Sequence, residues 1–124
     1  MPHWKPEDRH SITPRLVARD PAGLVQFLTD AFGASGEFED EMPSHVRIGD
    51  SMVMISGAGP RDVTSSFLYL YLEDADEAYE RALRLGAKSI EEPTDMPYGD
   101  RRAMIEDPAG NVWQIATHRP SANR

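Results

Sequence analysis

Apolar residues along this chain follow two spacings, and the two alternate in the same order twice. Leu24, Phe27, Leu28, Ala31 and Phe32 lie three and four residues apart, which puts them on one face of a helix. Ala78, Tyr79, Ala82 and Leu85 do the same later in the chain. Around these runs the pattern switches to alternation, as in Phe67-Leu68-Tyr69-Leu70-Tyr71-Leu72, which predicts a strand with leucines on one face and aromatics on the other. Met52 to Ser56 and Val112 to Ala116 alternate in the same way.

The punctuation repeats as well. Asp20 and Asp74 stand where an N-cap side chain would accept from the first free helical N–H groups. Pro21 suits a first helical position, and Asp74 with Glu77 has the spacing of a capping box. Gly33 and Gly86 are placed to end each helix in the left-handed conformation. Ile48-Gly49-Asp50-Ser51 matches Pro108-Ala109-Gly110-Asn111, each a glycine-centred turn into a strand. Short segments at about 35–41 and 44–49, and at about 88–92 and 100–106, are expected to pair with those strands.

The expected fold is therefore α+β. Paired βαβββ modules form a curved eight-stranded mixed sheet with helices on the outer face. The expected boundaries are an N-terminal tail at 1–10, a first module at 11–57, a linker at 58–65, a second module at 66–118 and a C-terminal tail at 119–124. Such a sheet has one concave face, the natural place for a ligand.

Composition narrows the chemistry. The 124 residues contain no cysteine, which excludes disulfides, thiolate metal sites and a cysteine nucleophile. The net charge of −8 opposes binding to phosphate backbones, so no nucleic-acid partner is expected. The first residues, Met-Pro-His-Trp-Lys-Pro, do not read as a signal segment, and no stretch approaches the roughly 20 apolar residues of a membrane span, so a cytoplasmic location is expected. No nucleophile elbow, phosphate-binding loop or His-Glu-x-x-His run occurs.

The repeat, together with Asp107-Pro108-Ala109-Gly110-Asn111-Val112-Trp113-Gln114-Ile115, resembles the vicinal oxygen chelate superfamily. That group holds glyoxalases, extradiol dioxygenases, fosfomycin-resistance enzymes and bleomycin-resistance proteins. Tyr98-Gly99-Asp100-Arg101 further resembles a glyoxalase-like branch of it. The resemblance implies one metal ligand on each of four cavity strands. By motif spacing those places fall on Thr13, Met54, Phe67 and Gln114. Of these only Gln114 suits a hard divalent ion, because Phe67 has no lone pair and Met54 is a soft thioether. No metal and no other cofactor is expected. The histidines His3, His10, His45 and His118 show no ligating spacing and read as residues at strand ends.

Strand alternation turns Thr13, Arg15, Met52, Met54, Phe67, Tyr69, Tyr71 and Gln114 toward the same face, an apolar lining with a few polar anchors. The expected function is to bind a small organic molecule there. The alternatives are a metal-dependent lyase, dioxygenase or transferase with unrecognised ligands, and a metal-free enzyme using Tyr69, Tyr71 or Arg15. The same side chains would also serve to fill a collapsed concavity or a dimer seam. Asp100 and Arg101 are expected in a loop-to-strand salt bridge rather than at a ligand. The resemblance implies a homodimer.

Overall fold

The computed structural model describes residues 4–119; residues 1–3, with His3, and 120–124 of the tails lie outside the described residues. The first module runs β1 (Arg15–Val17), α1 (Pro21–Phe32), β2 (Ser44–Ile48) and β3 (Ser51–Ser56). The second runs β4 (Phe67–Tyr71), α2 (Ala75–Arg84), β5 (Lys88–Asp95), β6 (Asp100–Glu106) and β7 (Val112–His118). Among the described residues no helix is long and apolar enough to cross a membrane.

Both helices begin as the sequence predicts. Asp20 accepts from the Gly23 amide and Asp74 from the Glu77 amide, each at 3.0 Å. Only half of the expected capping box forms, because the Glu77 carboxylate turns forward to Arg81 at 2.7 Å. Gly33 closes α1 at φ 71°, in the left-handed region that an L side chain enters only with strain.

The sheets depart from expectation. Among the described residues there are two open mixed sheets, ordered β1-β3-β2 and β4-β7-β6-β5, rather than one continuous eight-stranded sheet. Each is built around the last strand of its module, with a parallel neighbour on one side and an antiparallel neighbour on the other. The first module lacks a counterpart of β5. The segment expected there makes one isolated bridge, Ser35 to Arg47, and then leaves the sheet. Gly36 crosses so close to β2 that a Cβ would lie 2.5 Å from the His45 carbonyl oxygen. Beyond it come Glu37, Glu39, Asp40 and Glu41, poor strand formers that repel one another.

One core joins the modules through the helical side of both sheets. Leu16, Val46, Val53 and Ile55 of the first sheet and Ala103, Ile105, Trp113 and Ile115 of the second are buried in it with both helices. The helices touch each other, and Phe32 of α1 packs on Trp113 of β7 with ring centroids 5.0 Å apart. The Arg81 Nε–H donates across the join to the Ala31 carbonyl at 2.9 Å. The helices thus lie at the seam between the modules. Alternation leaves each sheet a second face that no helix covers.

The glycine-centred turn before β7 belongs to this core. Asp107 is 2% exposed. Its Oδ1 accepts from the amides of Ala109 at 2.8 Å and Asn111 at 3.0 Å. Its Oδ2 accepts from Asn111 Nδ2 at 3.1 Å and Trp113 Nε1 at 2.8 Å. Asn111 in turn accepts from the Ser66 amide at 2.9 Å, which fastens the turn to the start of β4. The motif that carries the resemblance is a structural clasp.

Candidate functional site

The helix-free face of the second sheet carries a connected polar and aromatic cluster. Phe67, Tyr69 and Tyr71 project from β4 in a row and are 68%, 40% and 58% exposed. Gln114 of β7 sits between Tyr69 and Met104 in the cross-strand register. Ala116, between Tyr71 and Arg102, leaves a low point in that face.

Asp100, the first residue of β6, organises the cluster and is 2% exposed. The Tyr69 and Tyr71 hydroxyls both donate to its Oδ2, at 2.6 and 2.9 Å, and His118 Nδ1 lies 2.8 Å from Oδ1. Since the one phenolic proton of Tyr69 is used on Asp100, the Tyr98 hydroxyl at 3.2 Å donates to Tyr69. Arg102 Nη1 donates to Tyr98 at 3.3 Å and Nη2 to Glu91 at 2.7 Å. The result is a one-directional chain, Arg102 to Tyr98 to Tyr69 to Asp100, whose links polarise one another. The Nε of Arg102 is buried without a partner among the described residues.

The electrostatics follow from these contacts. The phenol of Tyr69, helped by His118 and Tyr71, holds the Asp100 carboxyl below its usual range although burial pushes the other way. Burial and then the bond to Asp100 raise the Tyr69 phenol well above its ordinary value. The bond to Asp100 also raises Tyr71. At neutral pH Asp100 is ionised and both phenols keep their protons. The two tyrosines can therefore offer flat rings and fixed hydroxyls, but they are poorly suited to act as bases.

Arg101, on the opposite side of β6, forms a salt bridge as expected, but from strand to helix rather than from loop to strand. It forms a two-pronged pair with Asp76 of α2, with both contacts at 3.0 Å, and reaches Asp95 at 3.4 Å. Asp100 does not; its partners are the tyrosines and the imidazole. The alternation of Asp100, Arg102, Met104 and Glu106 along β6 was the available signal that these residues share the face of Gln114. His118 does end β7, and nothing local in the sequence marks its partner 18 positions away.

Of the remaining predicted site residues, Arg15, Met52 and Met54 lie on the first sheet and Thr13 lies two residues before β1. Met52 and Met54 point to its helix-free face from β3, where Met54 pairs with His45 and Arg15. Thr13 and Met54 line a cavity of about 380 Å³ beneath residues 4–11. Arg15 donates to the Ser56 hydroxyl at 3.0 Å and borders two other hollows, of about 440 and 200 Å³. None of these cavities includes Phe67, Tyr69, Tyr71 or Gln114. The structure thus gathers the eight residues into two groups, one at each sheet, and not around one trough.

The four places at which the resemblance would put metal ligands divide in the same way, Thr13 and Met54 at one sheet and Phe67 and Gln114 at the other. Gln114 pairs with Tyr69, so even these last two are out of register. A hydroxyl, a thioether, a benzene ring and a carboxamide do not make a divalent-ion site. Among the described residues, no three His, Asp or Glu side chains converge to form another.

The comparisons with known proteins agree with this architecture. The family model described as the Glyoxalase/Bleomycin resistance protein/Dioxygenase superfamily matches residues 10–115. The chain belongs to that superfamily. Among related sequences, uncharacterised protein Rv0887c of Mycobacterium tuberculosis is 27% identical, over 85% of this chain and 72% of that protein. TioX from Micromonospora sp. ML1 superposes with a TM-score of 0.75 at 21% identity, covering 88% of this chain and 98% of that one. A glyoxalase-related enzyme from Fulvimarina pelagi gives 0.74 at 17% identity, covering 88% of each. At these identities the two structures speak for the fold alone.

Proposed function

We propose that this protein binds a small organic molecule on the helix-free sheet faces and does so without the metal centre used by catalytic members of its superfamily. One observation carries the reading. Phe67, Tyr69 and Tyr71 stand exposed in a row, yet two of the three rings are locked in place by a buried carboxylate. Fixed aromatic surface of this kind binds flat ligands with little loss of side-chain freedom. Gln114 and the Tyr98 hydroxyl supply polar anchors beside it. Thr13, Arg15, Met52 and Met54 contribute from the other sheet.

Because one chain keeps the two faces apart, a second copy brings them together, and the working form is a cytoplasmic homodimer. The exposure of the β4 row is what such a partner would cover, and the likeness of Tyr98-Gly99-Asp100-Arg101 to the glyoxalase-like branch supports the reading. Light scattering tests the assembly. The binding reading is tested by thermal-shift and titration screening against planar aromatic natural products and basic glycopeptides. Stabilisation of the parent protein that is lost in Phe67→Ala supports the reading. An untouched melting curve across the panel, or one equivalent of divalent metal in protein purified without chelator, overturns it.

A further inference from the structure

The cavity on the first sheet has a charge character opposite to the rest of the chain. It is walled by Trp4, Lys5, Arg9 and His10 from the N-terminal segment and by Thr13, His45 and Met54 from the sheet side. No carboxylate is among the residues lining it, in a protein of net charge −8. The two acids of the segment, Glu7 and Asp8, are exposed and outside the lining. Asp8 pairs with Arg9 at 2.8 Å and approaches Arg47 at 4.0 Å, so the two acids Glu7 and Asp8 stand against the three cations Lys5, Arg9 and Arg47.

The donors are also set. Arg9 Nη2 lies 2.7 Å from His45 Nδ1, and a guanidinium can only donate. Nδ1 is therefore the acceptor and the imidazole proton sits on Nε2. That bond spans 36 residues of sequence and holds the segment against β2. Lys5 bonds the Arg9 carbonyl at 2.7 Å, which leaves two ammonium protons for another acceptor. Met54 and the Trp4 ring supply apolar wall, and about 380 Å³ is room for a small molecule.

We propose that this cavity holds a small organic acid, its carboxylate toward Lys5, His45 and the Thr13 hydroxyl and its apolar body against Met54 and Trp4. The inference rests on the reading that the helix-free faces bind small molecules, and adds the charge class at the first sheet. It gives the N-terminal segment a role as one wall of a binding site.

The test uses the full isotope-labelled chain titrated with acetate, butyrate, benzoate and indole-3-acetate, and with the primary amide of each. At least one acid is expected to shift the Thr13, His45 and Met54 amides and the Trp4 indole, with its amide binding about tenfold or more weakly. Lys5→Gln, an exposed-segment change that does not threaten the core, weakens that acid several-fold and leaves its amide unchanged. Equal binding of acid and amide, or shifts confined to Phe67, Tyr69 and Tyr71, overturns the inference and leaves the general binding reading intact. Absence of any shift with all four acids overturns it too, and the aromatic panel then judges the β4 face separately.

Discussion

Asp100 and Asp107 lie seven residues apart at either end of β6, each 2% exposed, and they do opposite kinds of work. The donors to Asp107 are two amides, a carboxamide and an indole, all within one turn and its strand. Asn111 and Trp113 have no route to water if that carboxylate is lost. The donors to Asp100 are the hydroxyls of two exposed tyrosines and an exposed imidazole, each able to turn to solvent. Burial of the acid is the same; burial of its partners is not. What distinguishes a clasp from a site is where the partners can go.

That contrast sets an order of effects. Asp107→Ala strands several buried donors at about 1–3 kcal/mol each, and we expect a loss of at least about 3 kcal/mol in urea unfolding. The melting temperature should fall by roughly 10 °C. A loss under about 1 kcal/mol would erase the distinction between the two acids. Asp100→Asn should cost less, about 1–2 kcal/mol, while lowering affinity for aromatic ligands because the rings lose their anchor.

The same variant has a pH signature. The folded Asp100 carboxyl is held below its unfolded value, so the stability it contributes is present above the unfolded range near 4 and is lost as pH falls further. The stability gap between parent and Asp100→Asn, followed by urea midpoints, should be constant from pH 7 to about 5 and close toward pH 2. A gap that stays open in acid would mean the carboxylate is not the source.

Smaller effects sharpen the site end of the comparison. Tyr69→Phe removes one of three donors to Asp100 and should cost about 1 kcal/mol of stability. Ultraviolet titration should show fewer phenols resisting ionisation above pH 10. Phe67→Ala should leave stability within about 0.5 kcal/mol, since the ring is mostly in water, and act on ligand affinity alone.

The sequence revealed the parts of the molecule governed by local rules. The Asp20 and Asp74 caps, the Gly33 stop and the alternation of β4, β3 and β7 are each decided within a few residues. The cluster at Asp100 was less legible, because its members come from β4, the turn before β6, and the end of β7. Its alternation along β6 was visible, but the pairing with Tyr69 and His118 requires the parallel register of β4 on β7. The eighth strand failed for a different reason. A repeat at the level of helices and turns suggested it, and a backbone crossing at Gly36 followed by crowded carboxylates prevented it.

That missing strand leaves β2 at the rim of its sheet, with a single bridge on its outer side. A rim of this sort is a template for a foreign strand, and like charge beside it is a common protection against polymerisation. Glu37, Glu39, Asp40 and Glu41 are therefore expected to act as gatekeepers: their joint replacement by the matching amides should leave the rim open to fibril growth, read as dye-binding aggregate in the variant and none in the parent.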